Sequence, residues 1–94
     1  MAHLLVHHEV VDFDKWKHNF NAHAYARSET GSKGGKVFRN ADNPNEVFVL
    51  LEWDSLENAK SFGKSENIKE IMKNAGVTGI PAIYYLEESA KTST

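Results

Sequence analysis

The chain has 94 residues, carries 11 Lys and Arg against 13 Asp and Glu, and contains no cysteine. This length fits one domain with one core. The absence of cysteine excludes disulfides, thiolate metal ligands and cysteine nucleophiles, and it is typical of a reducing compartment, so we expect a cytoplasmic protein.

The formal net charge of -2 comes without any run of Lys or Arg. This balance disfavours nucleic acid and anionic membrane surfaces as partners. The N-terminal segment is interrupted by His3, His7, His8 and Glu9, which is unlike a signal peptide or a transmembrane helix. We therefore expect a small apolar or aromatic ligand, no nucleic acid and no membrane.

The first part of the chain predicts a strand followed by a helix. Ala2 to Val10 alternates with period 2, which predicts a strand with Leu4 on its inner face. Asp12 is the predicted N-cap of a helix. One side of that helix carries Phe13, Trp16, Phe20, His23, Ala24 and Arg27. Gly31 follows the helix, and the Gly34-Gly35 pair is interpreted as a flexible connection.

The middle of the chain predicts a hairpin. Lys36 to Asn40 is the expected second strand, Asp42 to Asn45 the turn, and Glu46 to Trp53 the third strand. Both phases of the third strand are largely apolar, which favours cover on both faces. We expect the chain's own helices on one face and a second subunit on the other.

The last part predicts a broken helix and a strand. Asp54 or Ser55 caps a helix that Gly63 interrupts, and Ser65 opens a further helical segment that ends at Gly76. Ala82 to Glu87 is the expected final strand. The order β-α-β-β-α-β predicts an α+β, ferredoxin-like fold, a four-stranded antiparallel sheet with its helices on one face. We expect one domain over 1–88 and a flexible polar tail over 89–94.

Several segments together suggest a family. Val10 to Lys17 (VVDFDKWK), the helix positions Phe20, His23 and Arg27, Asp42 to Val47 (DNPNEV), Glu52-Trp53 and Ala75 to Pro81 (AGVTGIP) resemble the antibiotic biosynthesis monooxygenase-like proteins. The resemblance spans nearly the whole chain. It implies a dimeric α/β barrel: a homodimer that pairs through one sheet face, with a pocket between sheet and helices in each subunit. Activities in that superfamily include cofactor-free oxygenation, lactone isomerisation, polyketide cyclisation and haem degradation, so fold alone does not select one.

Haem degradation is disfavoured by the same resemblance. Aligned on Ser65, the chain has Phe62 where the haem-degrading enzymes have a Trp, and Met72 where they have the iron-ligating His. Its first strand offers His7 and His8 and no Asn. We therefore expect no cofactor.

The histidines are the most informative polar residues. His8 shares the strand phase of Leu4, and His23 lies on the apolar helix face, so both point inward and could meet in one pocket. An imidazole titrates near neutral pH and can act as a general base, so we predict His8 and His23 as catalytic residues. The alternative is that each is a hydrogen-bonded core histidine. No histidine pair has the spacing of a chelating site, which predicts no metal centre.

A pocket for a flat ligand needs a cation and aromatic walls. Arg27, one turn after His23, could neutralise a carboxylate or enolate, although an arginine near a helix end more often extends to water or caps backbone carbonyls. The predicted substrate-binding residues are Arg27, Phe38, Trp53, Phe62, Met72 and Tyr84. Tyr84 and Tyr85 point to opposite faces of the last strand, and the sequence leaves open which one faces the pocket.

Two functions remain open after these arguments. The first is a cofactor-independent monooxygenase, cyclase or isomerase acting on a flat aromatic or polyketide-type substrate. The second is a non-catalytic, ligand-binding or stress-associated dimer. Both need the same apolar pocket.

Overall fold

Four strands and four short helices follow one another along residues 1–94, all of which the computed structural model describes. The strands are β1 (Ala2–Val10), β2 (Ser32–Asn40), β3 (Asn43–Trp53) and β4 (Val77–Glu87). The helices are α1 (Phe13–Ala22), α2 (Ala24–Glu29), α3 (Leu56–Gly63) and α4 (Glu66–Asn74). The strands form one antiparallel sheet in the order β2-β3-β1-β4. The predicted ferredoxin-like α+β fold is confirmed, with each helical connection divided into two helices.

The division of the first connection has a local cause at His23. The imidazole Nδ1 of His23 lies 2.8 Å from the carbonyl oxygen of Asn19, the group that the backbone N–H of His23 would bind in a continuous helix. That N–H instead donates to the carbonyl of Phe20 at 3.3 Å. The side chain therefore replaces the backbone as the partner of Asn19, and α2 starts at the next residue.

Side-chain oxygens begin the other helices as predicted. Asp12 Oδ1 accepts the N–H groups of Asp14 and Lys15, and Ser65 Oγ accepts that of Ile68. Of the two candidates before α3, Ser55 is the cap, since its Oγ accepts the N–H of Asn58 at 3.1 Å. Each cap satisfies a donor that the first helical turn leaves unpaired.

The glycine pair does not form a flexible connection, and β2 begins at Ser32 rather than Lys36. Gly35 is required because a Cβ atom at this position would overlap the backbone carbonyl of Leu50 on β3. The predicted turn is also misplaced, because β3 already begins at Asn43 and the hairpin turns at 41–42. Pro44 is tolerated because it lies near the start of the strand.

The last strand begins at Val77, five residues before its predicted start at Ala82. Thr78 pairs with Glu9 and Ala82 pairs with His7, so the residues 79–81 lie opposite His8 alone. Gly79 has a φ of 69°, which permits this bulge. The irregularity in β4 therefore lies directly beside a predicted site residue.

The two faces of the sheet differ in their cover. The helix-facing side contains the core, and the largest fully buried side chains there are Trp53, Leu4 and Val47. The opposite side, here called the outer face, carries alternate residues such as Leu5, His7, Phe48 and Tyr84. None of the helices, the longest of which has ten residues, has the length and apolar character needed to cross a bilayer.

Candidate functional site

A cavity of about 650 Å³ lies between the sheet and the four helices. Its volume is typical of sites for small molecules and cofactors. Strand residues with aliphatic side chains form its floor: Leu4, Val6, Val49, Leu51 and Ile83. Trp16, Phe20 and Phe62 add aromatic walls, and the rings of Trp16 and Phe20 stack with their centroids 5.0 Å apart. The cavity therefore offers broad apolar and aromatic surfaces, as a flat ligand requires.

The structure brings five of the eight predicted site residues to this cavity. They are His8, His23, Arg27, Phe62 and Met72. Trp53 lies instead in the core, fully buried, where its Nε1–H donates to the carbonyl of Thr30 at 3.0 Å and its ring lies 4.8 Å from that of Phe62. Phe38 and Tyr84 lie on the outer face and do not reach the cavity. Tyr85 is the tyrosine that faces the helices, because a Cβ on Gly63 would collide with its hydroxyl group.

His8 is buried among apolar groups, with only 5% of its surface exposed. Its ring packs edge-on against Trp16, with 5.5 Å between centroids, and its Nδ1 has no hydrogen-bond partner. Burial lowers the pKa of His8 to about 4, and the adjacent His7 acts in the same direction. His8 is therefore neutral at physiological pH and is a weak base.

This burial predicts a specific pH dependence of stability. Between pH 6.5 and 4 the unfolded chain binds a proton at His8 that the folded chain does not bind, so the free energy of unfolding falls as the pH falls. From pH 7 to pH 5 we expect a loss of about 2 kcal/mol, which His8→Leu should largely remove and His18→Leu, at an exposed position, should retain. Urea unfolding at the two pH values measures this difference. An unchanged pH slope in His8→Leu would contradict the assignment.

His23 has the complementary character. Its Nδ1 is 2.8 Å from the carbonyl of Asn19, so Nδ1 must carry the proton. In the neutral ring, Nε2 is then the unprotonated nitrogen and can accept a proton. The carbonyl fixes both the ring orientation and the tautomer, which is the arrangement that a general base needs.

Arg27 is a half-buried cation without an ionic partner. Its guanidinium lies 3.7 Å from the centre of the Phe20 ring and donates to the carbonyl of Phe20 at 2.7 Å. The ion pairs of the structure involve other residues, and burial lowers the pKa of Arg27. Arg27 therefore places a positive charge without a direct ion pair at the wall of the cavity, whose lining also includes Glu29 and Asp54.

Several lining residues were missed by the sequence analysis. Asn19, Asn58 and Asn67 line the cavity, as does Lys33. Helical spacing could have found Asn19, which lies one turn before His23. Lys33 could not have been found, because its segment was interpreted as a flexible connection. No three His, Asp or Glu side chains converge to form a metal-binding cluster.

These features define the class of the protein: a ferredoxin-like α+β domain with an aromatic-walled cavity between its sheet and helices. Among solved structures, the chain is similar to SnoaB, a cofactor-independent oxygenase from Streptomyces nogalater, with a TM-score of 0.77, 10% identity, and 99% and 97% of the two chains covered. A candidate antibiotic biosynthesis monooxygenase from Bordetella bronchiseptica gives a TM-score of 0.76 at 13% identity, covering 95% of this chain and 97% of that one.

A third similar structure is Rv0793 from Mycobacterium tuberculosis, with a TM-score of 0.66, 14% identity, and 99% and 100% of the two chains covered. No family model matches the chain, and no curated protein matches its sequence. The structural neighbours are antibiotic biosynthesis monooxygenase-like proteins, which confirms the predicted resemblance as a likeness of fold. At these identities the likeness establishes the fold alone.

Proposed function

We propose that the chain is a cofactor-independent oxygenase that binds a flat phenol or enol in the cavity between its sheet and helices. The observation that carries this proposal is the convergence of His8, His23 and Arg27 on one aromatic-walled cavity. The fold likeness to a cofactor-independent oxygenase supports the choice of reaction class. Isomerisation and cyclisation would begin with the same removal of a proton from the ligand, and they are related reactions that this site could carry out.

His23 is the proposed general base. Its Nε2 accepts a proton from the ligand, either from the hydroxyl group of the phenol or from the acidic carbon of the keto tautomer. Its Nδ1 keeps the hydrogen bond to the carbonyl of Asn19. The electron pair remains on the ligand and is delocalised over its oxygen and ring. The resulting anion is the electron-rich species that reacts with molecular oxygen.

Arg27 and His8 have different proposed roles from His23. The guanidinium of Arg27 stabilises the negative charge on the ligand oxygen, because it lies in a partly dehydrated place without a carboxylate partner. His8 is too weak a base to take the proton, since its pKa is about 4. Its neutral ring instead forms part of the cavity wall, packed edge-on against Trp16.

Anthrone tests this function, since it is a flat tricyclic ketone whose conjugate base is a delocalised phenolate. Its oxidation consumes one O₂ per molecule and yields anthraquinone and water. We expect the protein, treated with a metal chelator, to accelerate oxygen uptake above the spontaneous rate, with one anthraquinone formed per O₂. An uncatalysed rate in the presence of demonstrated binding would contradict the oxygenase proposal.

A non-catalytic, ligand-binding role is the second candidate, and the weak basicity of His8 favours it. Of the two cavity histidines, only His23 retains a nitrogen suited to proton abstraction. A protein that only binds would bind anthraquinone tightly and leave anthrone oxidation unchanged.

We also propose that two copies associate through their outer faces. This face exposes large apolar side chains on β2 and β4: Phe38, Tyr84 and Leu86, which are 48%, 52% and 40% exposed. Three partly buried polar groups of this face, His7, Asn40 and Glu46, are paired within the chain. His7 Nε2 lies 2.7 Å from Glu46, and Asn40 donates to Glu46 at 2.6 Å. Both bonds lower the pKa of Glu46, and that from Asn40 has the larger effect. A second copy that covers these three groups would therefore not leave them without partners.

Sedimentation measures this association directly. At micromolar concentration we expect twice the mass of one chain for the wild type and a single-chain mass for Tyr84→Glu, because the substitution places a charge in the proposed interface. Tyr25→Glu is the matched control, since Tyr25 lies on α2 and is 76% exposed. A wild-type protein that sediments as one chain would contradict the dimer.

A further inference from the structure

A second, smaller cavity of about 360 Å³ lies between α2 and the edge strand β2. It is continuous in its lining with the larger cavity, because Arg27, Ser28 and Lys33 line both. Lys36, Ser32 and the Gly34-Gly35 pair line the smaller cavity alone. A ligand held by Arg27 could therefore extend from one cavity into the other.

The charge of this smaller cavity is one-sided. Arg27 and Lys33 line it and no acidic residue does, although the chain as a whole has a net charge of -2. Lys36 also lines it, but it pairs with Leu50, so its side chain points to the outer face. None of Arg27, Lys33 and Lys36 has a carboxylate within ion-pair distance. Arg27 is half-buried as well, and burial lowers its pKa, as expected for a cation held partly out of water without a counter-charge.

The backbone adds hydrogen-bonding capacity to this charge. β2 is at the edge of the sheet and pairs only with β3. The N–H groups on its other side therefore have no neighbouring strand to accept a hydrogen bond. A Cβ placed on Gly34 would meet no atom within 4 Å, so there is open space beside the strand there. The Gly34 N–H itself donates to Ser32 Oγ at 3.3 Å, which leaves the Ser32 hydroxyl hydrogen as the donor. Ser28 and Ser32 supply hydroxyl groups at the same cavity. Positive charge together with N–H and O–H donors is the combination that binds carboxylates and phosphoryl groups.

We propose that the smaller cavity is an anion subsite, in which Arg27 and Lys33 bind a carboxylate or phosphoryl group of a ligand whose ring occupies the larger cavity. The placement of the ligand's ring in the larger cavity rests on the proposed function. The subsite adds that the natural ligand is an anionic, flat molecule, with its charged substituent directed towards β2. A free phosphoryl anion has the same chemistry as an attached one, so the two sources are tested separately.

The ring-linked source is tested with two matched probes, anthraquinone-2-carboxylate and anthraquinone-2-carboxamide. Quenching of tryptophan fluorescence reports binding, since Trp16 lines the larger cavity. We expect the carboxylate to bind the wild type about 3- to 10-fold more tightly than the carboxamide. The variant Lys33→Gln should lose most of this preference. The control Lys15→Gln changes the net charge equally at an exposed lysine outside both cavities and should keep it.

The free source is tested with inorganic pyrophosphate, followed by the NMR signals of the Gly34 and Gly35 amides. Shifts that vanish in the Lys33→Gln variant support the subsite, even if neither anthraquinone binds. In that case only the proposed aromatic function fails. Equal affinity of the wild type for the carboxylate and the carboxamide overturns the subsite and leaves the aromatic cavity standing. Absence of binding by all three probes overturns both.

Discussion

Replacing His23 with Gln is expected to slow the oxidation of anthrone by about 100-fold or more while the fold is retained. The amide of Gln can still donate to the carbonyl of Asn19, so the break between α1 and α2 keeps a side-chain hydrogen bond. Gln cannot accept a proton, so the general base is lost. Initial rates of oxygen uptake, measured beside thermal unfolding, separate loss of the base from loss of structure.

His18→Gln is the matched control for this prediction. His18 lies on α1, which ends just before His23, is exposed and lines neither cavity, so its replacement should leave the rate unchanged. A His23→Gln rate equal to that of the wild type would remove His23 from the mechanism. A large drop in melting temperature together with an unchanged rate would instead indicate the alternative of a core histidine.

Replacing Trp53 with Ala is expected to destabilise the protein by about 3–5 kcal/mol. Trp53 is fully buried, packs against Phe62 and donates a hydrogen bond from its Nε1–H to the carbonyl of Thr30. The loss is comparable with the whole stability of many domains of this size, so the variant should be largely unfolded in moderate urea. Trp53→Phe keeps most of the apolar volume and removes the hydrogen bond, so it should cost about 1–3 kcal/mol.

This prediction also tests the binding role that the sequence suggested for Trp53. Urea unfolding and anthraquinone affinity are measured on both variants. A Trp53→Phe protein that is less stable but binds as tightly as the wild type agrees with a core position. A protein of unchanged stability and weakened binding would restore Trp53 to the ligand site.

The strands and helices were predictable wherever side-chain periodicity decides the structure. β1 and the phases of β3 follow from alternation, and Asp12 and Ser65 follow from the chemistry of helix caps. The predicted strand boundaries are wrong where a glycine or a proline can indicate either a loop or an irregular strand. Gly35 is needed for close approach of two strands, and Pro81 lies within a bulge, whereas both residue types more often mark loops.

The candidate site was predictable where one element determines the direction of a side chain. The phase of β1 and the helical spacing from Phe13 to His23 predict that His8 and His23 point inward, and both line one cavity. Phe38 and Tyr84 were misplaced because being aromatic does not determine which face of a strand a residue occupies. The contrast between a buried, weakly basic His8 and a carbonyl-bound His23 could not be predicted, because it depends on contacts between elements.

The proposed ligand site is the cavity between the sheet and the helices. The most direct test is a titration with anthraquinone-2-carboxylate, followed by NMR of the histidine side chains. We predict that the ring signals of His8 and His23 shift together on binding, while those of His7, on the outer face, stay unchanged. Shifts confined to His7, or bound ligand with no change at His8 and His23, would contradict the account.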